Sequence, residues 1–354
     1  MKTICYYITG HGYGHAVRAS QVISHLPPDI RVIVRGSTPE DLFDSEIRRE
    51  FEYMPAEFDC GCLQKDSISV LRRETLTRYR QIQERNHAAL GAEIDFLDRE
   101  KVDIVVSDIP PFPLYAAQRA GRPSFAVTNF TWHDIYAEYR ETAADDELLS
   151  QILSEYRCAT AALITPLATP NIKSEFGRSI DVPLIARRGK ASPEDLRRRL
   201  GAPENTPVAL VYFGVWGQHI DWKALEACAP WIFLCWGDPP GRPPNVVPLD
   251  TLDMANADVA ASVDAVLAKP GYGTVSQCIA DSVPLVYIHR SDFSEYDALV
   301  AGMEPWGGSV ELSLQDFGAG NWKSALDAAR SARINRGCYA ADGAEVAAKI
   351  IGEL

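Results

Sequence analysis

The stretch that decides the fold reads Ile4-Cys5-Tyr6-Tyr7-Ile8-Thr9-Gly10-His11-Gly12-Tyr13-Gly14-His15. An apolar run of strand length is followed by a turn with three glycines, and residues 16–26 then have helical spacing. A strand, a glycine-rich turn and a helix start together predict a site where backbone N–H groups approach a ligand closely. The two imidazoles in this turn are unusual, because a dinucleotide-binding turn carries none.

Imidazole is the side chain whose ordinary pKa, about 6.5, suits proton transfer near neutral pH. His15 lies at the predicted helix start, where the positive end of a helix favours a neutral ring that can accept a proton. We therefore predict a catalytic or substrate-contacting role for His15, with His11 as the second candidate. A histidine that only caps the helix is the alternative. A zinc site is not expected, because no carboxylate or further histidine completes a ligand set.

Length and composition indicate an ordinary globular protein of two domains. The chain has 354 residues, of which 46% are hydrophobic and 23% are charged. Its net charge of −13 argues against nucleic acid or an anionic membrane as the main partner. Neither a signal peptide nor an apolar run of membrane-spanning length is present, so a cytoplasmic location is expected. The eight cysteines are scattered, which favours free thiols over a disulfide framework.

Strand and helix signals alternate along both halves of the chain, which is typical of parallel, doubly wound sheets. One long helical stretch is predicted over residues 67–99. Strands are predicted at residues 4–8, 31–35, 102–106, 124–128, 162–165, 182–185, 208–213, 231–236, 265–268 and 284–288. The fold class is therefore α/β, with two Rossmann-like domains facing across a cleft and ligands at the carboxyl ends of the strands.

Domain boundaries follow from a linker-like run over residues 187–193. We assign residues 1–185 to an N-terminal Rossmann-like domain and residues 186–340 to a C-terminal Rossmann-like domain. Residues 341–354 form a C-terminal helix that is expected to pack back on the N-terminal domain.

A second glycine-rich turn, Gly271-Tyr272-Gly273-Thr274, precedes a helix in the second half. The unsatisfied N–H groups of a helix start, with the Thr274 and Ser276 hydroxyls in the first turn, make an anion site that fits a diphosphate. A lysine–serine pair of the P-loop type does not follow, so nucleotide hydrolysis is not expected.

Polar residues also follow two first-domain strands and one second-domain strand. Asp108 ends one strand and is a candidate to polarise a histidine. Asn129 and Trp132 mix polar and aromatic groups, as acceptor sites often do. The stretch from His289 to Asp297 carries side chains that can hydrogen-bond sugar hydroxyls, although a solvated charged loop is the alternative.

An Asp-x-Asp pattern after a strand is missing from the sequence, so no metal is expected at the diphosphate. The leaving diphosphate would instead be stabilised by helix N-termini and backbone amides. No metal or other cofactor is therefore predicted.

These motifs resemble those of GT-B glycosyltransferases, and more closely those of the GT-B-like N-terminal domain of L-arabinokinase, without its kinase domain. The similarity covers nearly the whole chain. It is carried by residues 7–16, 127–132, 135–139, 181–184, 271–276 and 343–348. The turn also resembles that of a lipid-precursor N-acetylglucosaminyltransferase and of a nucleotide-sugar hydrolase of pseudaminic acid synthesis.

The resemblance implies that the N-terminal domain binds the acceptor and that the C-terminal domain binds the nucleotide-sugar. It also implies roles for individual residues. His15 would be the base, residues 271–274 the diphosphate site, residues 247–249 the neighbours of the nucleobase, and Ser294 with Glu295 the sugar contact. Gln277 stands where a ribose-binding glutamate is common, which leaves the nucleotide preference open. The full predicted nucleotide-sugar site is Gly12, Tyr13, Gly14, Gly214, Trp216, Leu249, Lys269, Gly271, Tyr272, Gly273, Thr274, Gln277, Ser294 and Glu295.

The sequence thus predicts a metal-independent, inverting glycosyltransferase that moves a sugar from a nucleotide-diphospho-sugar to a small acceptor. A nucleotide-sugar hydrolase, with water as acceptor, is the enzymatic alternative. A non-catalytic module that senses sugars or nucleotide-sugars is the other. The sugar, the nucleobase, the acceptor and the oligomeric state are left open.

Overall fold

A computed structural model describes residues 1–64, 70–213, 220–288 and 293–354. The chain divides into two compact units. Unit 1 comprises Met1–Ala186, the described part of Asp292–Ala298, and Ala341–Leu354. Unit 2 comprises the described parts of Arg187–Ser291, together with Leu299–Ala340. Among the described residues, no helix is both long and apolar enough to span a membrane.

Unit 1 is built on a seven-stranded parallel sheet with the order β3-β2-β1-β4-β5-β6-β7. The strands are β1 (Thr3–Ile8), β2 (Arg31–Gly36), β3 (Glu52–Pro55), β4 (Ile104–Asp108), β5 (Ser124–Thr128), β6 (Ala161–Ile164) and β7 (Ser179–Asp181). The order reverses between β1 and β4, which is the place where ligands bind in such sheets.

The helices of unit 1 connect these strands. They are α1 (Tyr13–His25), α2 (Glu40–Glu46), α3 (Arg72–Ala88), α4 (Leu90–Arg99), α5 (Phe112–Arg119), α6 (Trp132–Ala137), α7 (Ala143–Tyr156) and α14 (Gly343–Gly352). A 3₁₀ helix covers Ile172–Glu175. Local sequence sets several of these starts: α7, for example, begins at a capping box between Thr142 and Asp145.

The core of unit 1 follows from the two-residue period of its strands. In β1, Ile4, Tyr6 and Ile8 pack on one face of the sheet with α1 and α14, and Cys5 and Tyr7 pack on the other face. All five side chains are buried, so β1 is a central strand covered on both sides.

Unit 2 repeats the plan with a six-stranded parallel sheet of order β10-β9-β8-β11-β12-β13. Its strands are β8 (Val208–Tyr212), β9 (Ile232–Cys235), β10 (Val246–Pro248), β11 (Ala265–Ala268), β12 (Leu285–Tyr287) and β13 (Ser309–Glu311). Here the order reverses between β8 and β11, and aromatic residues such as Phe233 and Trp322 fill the core.

In the described part of unit 2, five α-helices accompany this sheet, and one more has residues in both units. The five are α8 (Pro193–Arg199), α9 (Asn256–Ser262), α10 (Tyr272–Asp281), α12 (Leu314–Gly318) and α13 (Lys323–Arg330). Helix α11 (Ser294–Met303) begins among unit 1 residues and ends among unit 2 residues. Two 3₁₀ helices cover Trp222–Cys228 and Leu249–Thr251.

The C-terminal helix α14 packs in the core of unit 1 beside α1. Ala347, Ala348 and Ile351 are fully buried there. A glycine is needed where α14 begins, because a Cβ on Gly343 would lie 2.0 Å from the Pro183 carbonyl oxygen. The small residues at the start of α14 therefore permit this close approach.

The predicted α/β class with two Rossmann-like sheets is confirmed, but two predicted elements are wrong. Residues 182–185 are not a strand, because β7 ends at Asp181 and Pro183 has no N–H group to continue the ladder. The predicted helix over 67–99 is two helices, α3 and α4, with Ala89 between them. Residues 65–69 lie outside the described chain.

Candidate active site

The turn after β1 presents backbone N–H groups at an exposed helix start. Gly12 is the N-cap of α1 and has φ +82°, a value that an L side chain rarely adopts. None of the described side chains caps this end, and Gly12, Tyr13 and Gly14 are exposed. The first-turn N–H groups predicted to approach a ligand are therefore accessible in unit 1.

His15 and Asp108 come together because β1 and β4 are neighbours. Ile8 is paired with Asp108 across the two strands, and the Thr9 N–H donates to the Asp108 carbonyl at 3.1 Å. The His15 Nδ1 lies 3.0 Å from the Asp108 Oδ1, with His15 buried to 8% exposure. Because an ionised carboxylate only accepts, this contact assigns the hydrogen to Nδ1 and leaves Nε2 as the acceptor.

Asp108 is fully buried and is held mainly by Arg18. The Arg18 Nε donates to Oδ2 at 2.8 Å, and its Nη2 donates to Oδ1 at 2.6 Å. Burial by itself raises the pKa of Asp108, but the Arg18 charge and the hydrogen bonds from His15 and Arg18 outweigh it and hold the pKa below its usual value. Asp108 is therefore a carboxylate at neutral pH.

Asn129 and Glu295 extend this network. The Arg18 Nη1 donates to the Asn129 Oδ1 at 2.6 Å, and the Asn129 Nδ2 donates to the Glu295 Oε1 at 2.9 Å. Glu295 belongs to the short segment of the second half that clusters with unit 1. The structure thus places Glu295 in contact with Asn129. The sugar contact that the sequence predicts for Glu295 stays a prediction.

The backbone after Asp108 is strained. Ile109 has φ +86°, a conformation that is a genuine outlier for a β-branched residue. The Tyr156 hydroxyl donates to the Ile109 carbonyl at 2.8 Å, and the Ser107 hydroxyl donates to the Pro110 carbonyl at 2.5 Å. These hydrogen bonds hold a sharp turn immediately after the carboxylate, as is found at many functional sites.

His11 is held differently from His15. Its Nδ1 accepts a hydrogen bond from the Cys62 N–H at 3.2 Å, so the hydrogen of the neutral ring lies on Nε2. The ring stacks on Phe293, with centroids 5.8 Å apart. Gly61 permits this packing, because a Cβ there would lie 2.3 Å from the His11 Nδ1. The His11 Nδ1 is therefore already engaged as an acceptor, unlike the Nε2 that the His15–Asp108 contact leaves as the acceptor of a neutral His15 ring.

Asp59 is a buried carboxyl that the sequence analysis missed. The Thr9 hydroxyl donates to the Asp59 Oδ1 at 2.8 Å, and the Trp132 Nε1 donates to the Asp59 Oδ2 at 2.7 Å. Burial raises the pKa of Asp59 to about 6, although the hydrogen bonds from Trp132 and Thr9 lower it in part. No motif marks Asp59, since its partners are 50 and 73 residues away in the chain.

The two predicted acceptor residues, Asn129 and Trp132, are both buried, at 0% exposure. Trp132 stacks on Tyr136, with ring centroids 5.3 Å apart and the rings nearly parallel, and its Nε1 donates to Asp59. The acceptor contact predicted for these two residues stays a prediction.

In unit 2, the predicted diphosphate site lies at the start of α10, directly after β11. Gly271 is the N-cap, with an ordinary φ of −129° and no side-chain cap. Gly273 and Thr274 are half-buried, and Tyr272 is buried. The Ser276 hydroxyl donates back to the Gly273 carbonyl at 3.1 Å, so it is engaged within the helix.

The other predicted nucleotide-sugar residues of unit 2 are placed as follows. The buried Gln277 donates to the Ala257 carbonyl at 3.3 Å and accepts from Arg187 at 3.4 Å. Leu249 is buried and Lys269 is half-buried. The predicted residues Gly214 and Trp216 lie outside the described chain.

Ser294, at the start of α11, has a buried hydroxyl that forms no hydrogen bond within the described chain. It directly precedes Glu295, which is bonded to Asn129. The sugar contact predicted for Ser294 stays a prediction.

One group of described side chains could hold a metal ion. Ligand atoms of His133, Asp134 and Glu175 lie within 4.8 Å of one another. The His133 Nδ1 is 2.6 Å from the Glu175 Oε1, and the Thr169 hydroxyl donates to Asp134. Burial and the Glu175 charge raise the pKa of Asp134 to about 7. The prediction that no metal is needed stays a prediction.

Comparisons with known proteins agree with this architecture. The family model described as glycosyl transferase family 1 matches residues 2–193. L-arabinokinase of Arabidopsis thaliana is 35% identical over 98% of this chain. The chain spans only 34% of the length of that relative.

Solved structures of glycosyltransferases cover nearly the whole chain. A UDP-glucosyltransferase from Polygonum tinctorium is 12% identical, with 99% of this chain and 93% of that chain covered at a TM-score of 0.66. The calicheamicin glycosyltransferase CalG4 is 17% identical, with 99% and 94% covered at a TM-score of 0.60. At these identities the likeness shows a shared fold.

Proposed function

The chain belongs to glycosyl transferase family 1, and from this premise we propose that it transfers a sugar from a nucleotide-diphospho-sugar to a small acceptor, with inversion and without a metal. The observation that carries the proposal is the 3.0 Å contact between the His15 Nδ1 and the Asp108 carboxylate. It leaves the Nε2 of a neutral imidazole ready to accept a proton.

The proposed reaction assigns one task to each unit. In unit 1, the His15 Nε2 takes the proton of an acceptor hydroxyl, amine or thiol as that atom attacks the anomeric carbon. The bond from the anomeric carbon to the diphosphate oxygen breaks, and its electron pair leaves with the nucleoside diphosphate. Attack opposite the leaving group inverts the anomeric centre. Asp108 stabilises the imidazolium that forms, as carboxylates do beside catalytic histidines.

Unit 2 is proposed to bind the donor. Helix α10 has no side-chain cap at Gly271, and the backbone N–H groups of its first turn can stabilise the leaving diphosphate. The UDP-glucosyltransferase of similar fold supports a nucleotide-sugar as the donor class. Because Gln277 is already hydrogen-bonded inside unit 2, we do not assign it the ribose.

A panel of nucleotide-sugars tests the proposal directly. Thermal shift is measured with UDP-, dTDP-, GDP- and ADP-sugars, and mass spectrometry then follows the stabilising donor with and without cell extract. We expect at least one donor to raise the melting temperature and to yield a glycosylated product with extract. Free sugar formed without extract would instead identify a hydrolase. Binding with no turnover would identify a sensing module, and no binding at all would overturn the donor assignment.

A further inference from the structure

Arg18 is the side chain that determines how Asp108 meets His15. It lies one turn after His15 on α1 and is 3% exposed. Its Nε and Nη2 bind the two oxygens of Asp108 side-on, at 2.8 and 2.6 Å. Because both atoms of the planar guanidinium are engaged, they fix the plane of the carboxylate.

Arg18 also competes with Asp108 for the same imidazole atom. The Arg18 Nη2 is 3.3 Å from the His15 Nδ1, and the Asp108 Oδ1 is 3.0 Å from it. A guanidinium only donates, so a hydrogen bond from Arg18 would require a lone pair on Nδ1 and move the ring hydrogen to Nε2. That tautomer cannot accept a proton at Nε2, whereas the tautomer bonded to Asp108 can.

Asn129 and Glu295 keep Arg18 from donating a hydrogen bond to the His15 Nδ1. The Asn129 Oδ1 accepts from the Arg18 Nη1 at 2.6 Å, on the side of the guanidinium that does not face His15. The Asn129 amide is oriented in turn by Glu295, which accepts from Nδ2 at 2.9 Å. All three hydrogen-bonded residues, Glu295, Asn129 and Arg18, are buried. Both ends of the Asn129 amide are therefore fixed by charged partners.

We propose that Arg18, anchored by Asn129 and Glu295, is a positioning residue that selects the Nδ1–H tautomer of His15. The catalytic meaning of this selection rests on the proposed function, but the tautomer itself is a property of unit 1. Three residues outside the His15–Asp108 pair thereby decide whether the ring is a base.

The test reads the tautomer without any substrate. The protein is labelled with ¹⁵N-histidine, and the His15 ring is observed by long-range ¹H–¹⁵N correlation at a pH where it is neutral, with His15→Gln used for assignment. We expect the wild type to show the Nδ1–H form. In Asn129→Ala, the ratio of Nδ1–H to Nε2–H should fall by roughly tenfold or more, as expected for the loss of one charge-assisted hydrogen bond.

A swapped pair of residues tests whether the hydrogen bonds that link Glu295, Asn129 and Arg18 can be restored. In the double variant Asn129→Asp/Glu295→Gln, the new carboxylate can accept from Arg18 and from the new amide, with the net charge unchanged. It should restore the wild-type tautomer. Asn86→Ala is the matched control, because Asn86 is also buried in unit 1, donates to the Phe58 carbonyl at 2.9 Å and accepts from Arg85 at 3.4 Å. It should lower stability and leave His15 unchanged.

The outcomes separate this inference from the proposed function. A folded Asn129→Ala protein with the wild-type tautomer overturns the inference, whatever the enzyme does. If that variant does not fold, Glu295→Ala takes its place, and an unchanged tautomer there overturns the inference equally. A shifted tautomer in a protein whose wild type transfers no sugar supports the positioning role and contradicts the proposed function.

Discussion

Each unit places a glycine N-cap after a strand at the point where its sheet order reverses. Gly12 precedes α1 in unit 1, and Gly271 precedes α10 in unit 2. Gly12 has φ +82° and is followed by His15 and Arg18, which enter a buried ionic network. Gly271 has an ordinary φ of −129°, and the first turn of α10 carries no charged side chain.

The difference matches the two tasks that we propose for the units. In unit 1, buried charged side chains and an imidazole surround the turn, which suits the proposed proton transfer. In unit 2, the backbone of a helix start is the main feature, which suits the proposed binding of a diphosphate. Variants at the turn after β1 should therefore change turnover. Variants at the turn before α10 should change donor binding.

The largest effect is expected from His15→Gln. Removing the base should lower turnover by about 10²–10⁴-fold and leave the donor dissociation constant within about twofold, since the base acts on the acceptor. Steady-state rates and calorimetric titration with the donor measure the two quantities. His25→Gln is the control, because His25 is exposed at the other end of α1. An unchanged rate in His15→Gln would remove the base assignment.

A pH-dependent effect is expected from Asp59. Its pKa is raised from 3.8 to about 6 in the folded protein, so the folded state binds this proton more tightly than the unfolded state does. The resulting stability is present below pH 3.8 and is lost as pH rises through about 6, with a total change of up to roughly 3 kcal/mol.

Urea unfolding from pH 3.5 to 7.5 measures this contribution as the difference between wild type and Asp59→Asn. As pH rises through about 6, the unfolding free energy of wild type should fall relative to that of Asp59→Asn. Asp146→Asn is the control, because Asp146 is exposed. A difference that does not depend on pH would show that Asp59 is ionised like an ordinary surface carboxyl.

A smaller effect on stability should distinguish the two N-caps. Gly12→Ala places a side chain at φ +82° and ψ 150°, a region that is essentially restricted to glycine, and should cost about 1–3 kcal/mol of unfolding free energy, although no described atom lies within 4 Å of the new Cβ. Denaturant titration measures this cost. An alanine tolerated without loss at position 12 would mean that the turn relaxes to an ordinary backbone.

The smallest effect is expected from Gly271→Ala. Its φ is ordinary and no described atom lies within 4 Å of a new Cβ, so stability should change by less than about 0.5 kcal/mol. A methyl group at the start of α10 should still weaken donor binding several-fold, about 1 kcal/mol, without changing turnover at saturating donor. Unaltered donor affinity would argue against the diphosphate site at this turn.

The sequence was a good guide to the fold because the alternation of strands and helices is local. The pairing of His15 with Asp108 was also predictable, since both follow strands of one parallel sheet and β1 lies next to β4. By contrast, the strand expected at 182–185 is wrong, and the sequence itself carries the signal against it, because Pro183 has no N–H group to donate to a ladder.

The buried partners of the site could not be predicted from the sequence. Arg18 looks like an ordinary helix residue, and its partners Asp108 and Asn129 are 90 and 111 positions away. Asp59 has no motif, and Glu295 reaches Asn129 across 166 positions. Such contacts depend on tertiary packing, which local patterns of charge and hydrophobicity do not encode.

We propose that His15 and Asp108 act as one catalytic unit, and a double-mutant cycle on turnover measures whether they do. Turnover is measured for wild type, His15→Gln, Asp108→Asn and the double variant, with folding checked by circular dichroism. We predict that the double variant loses no more activity than His15→Gln alone, because Asp108 acts through the ring of His15. If the loss of turnover in the double variant equals the product of the two single losses, His15 and Asp108 act independently and the proposed catalytic unit is wrong.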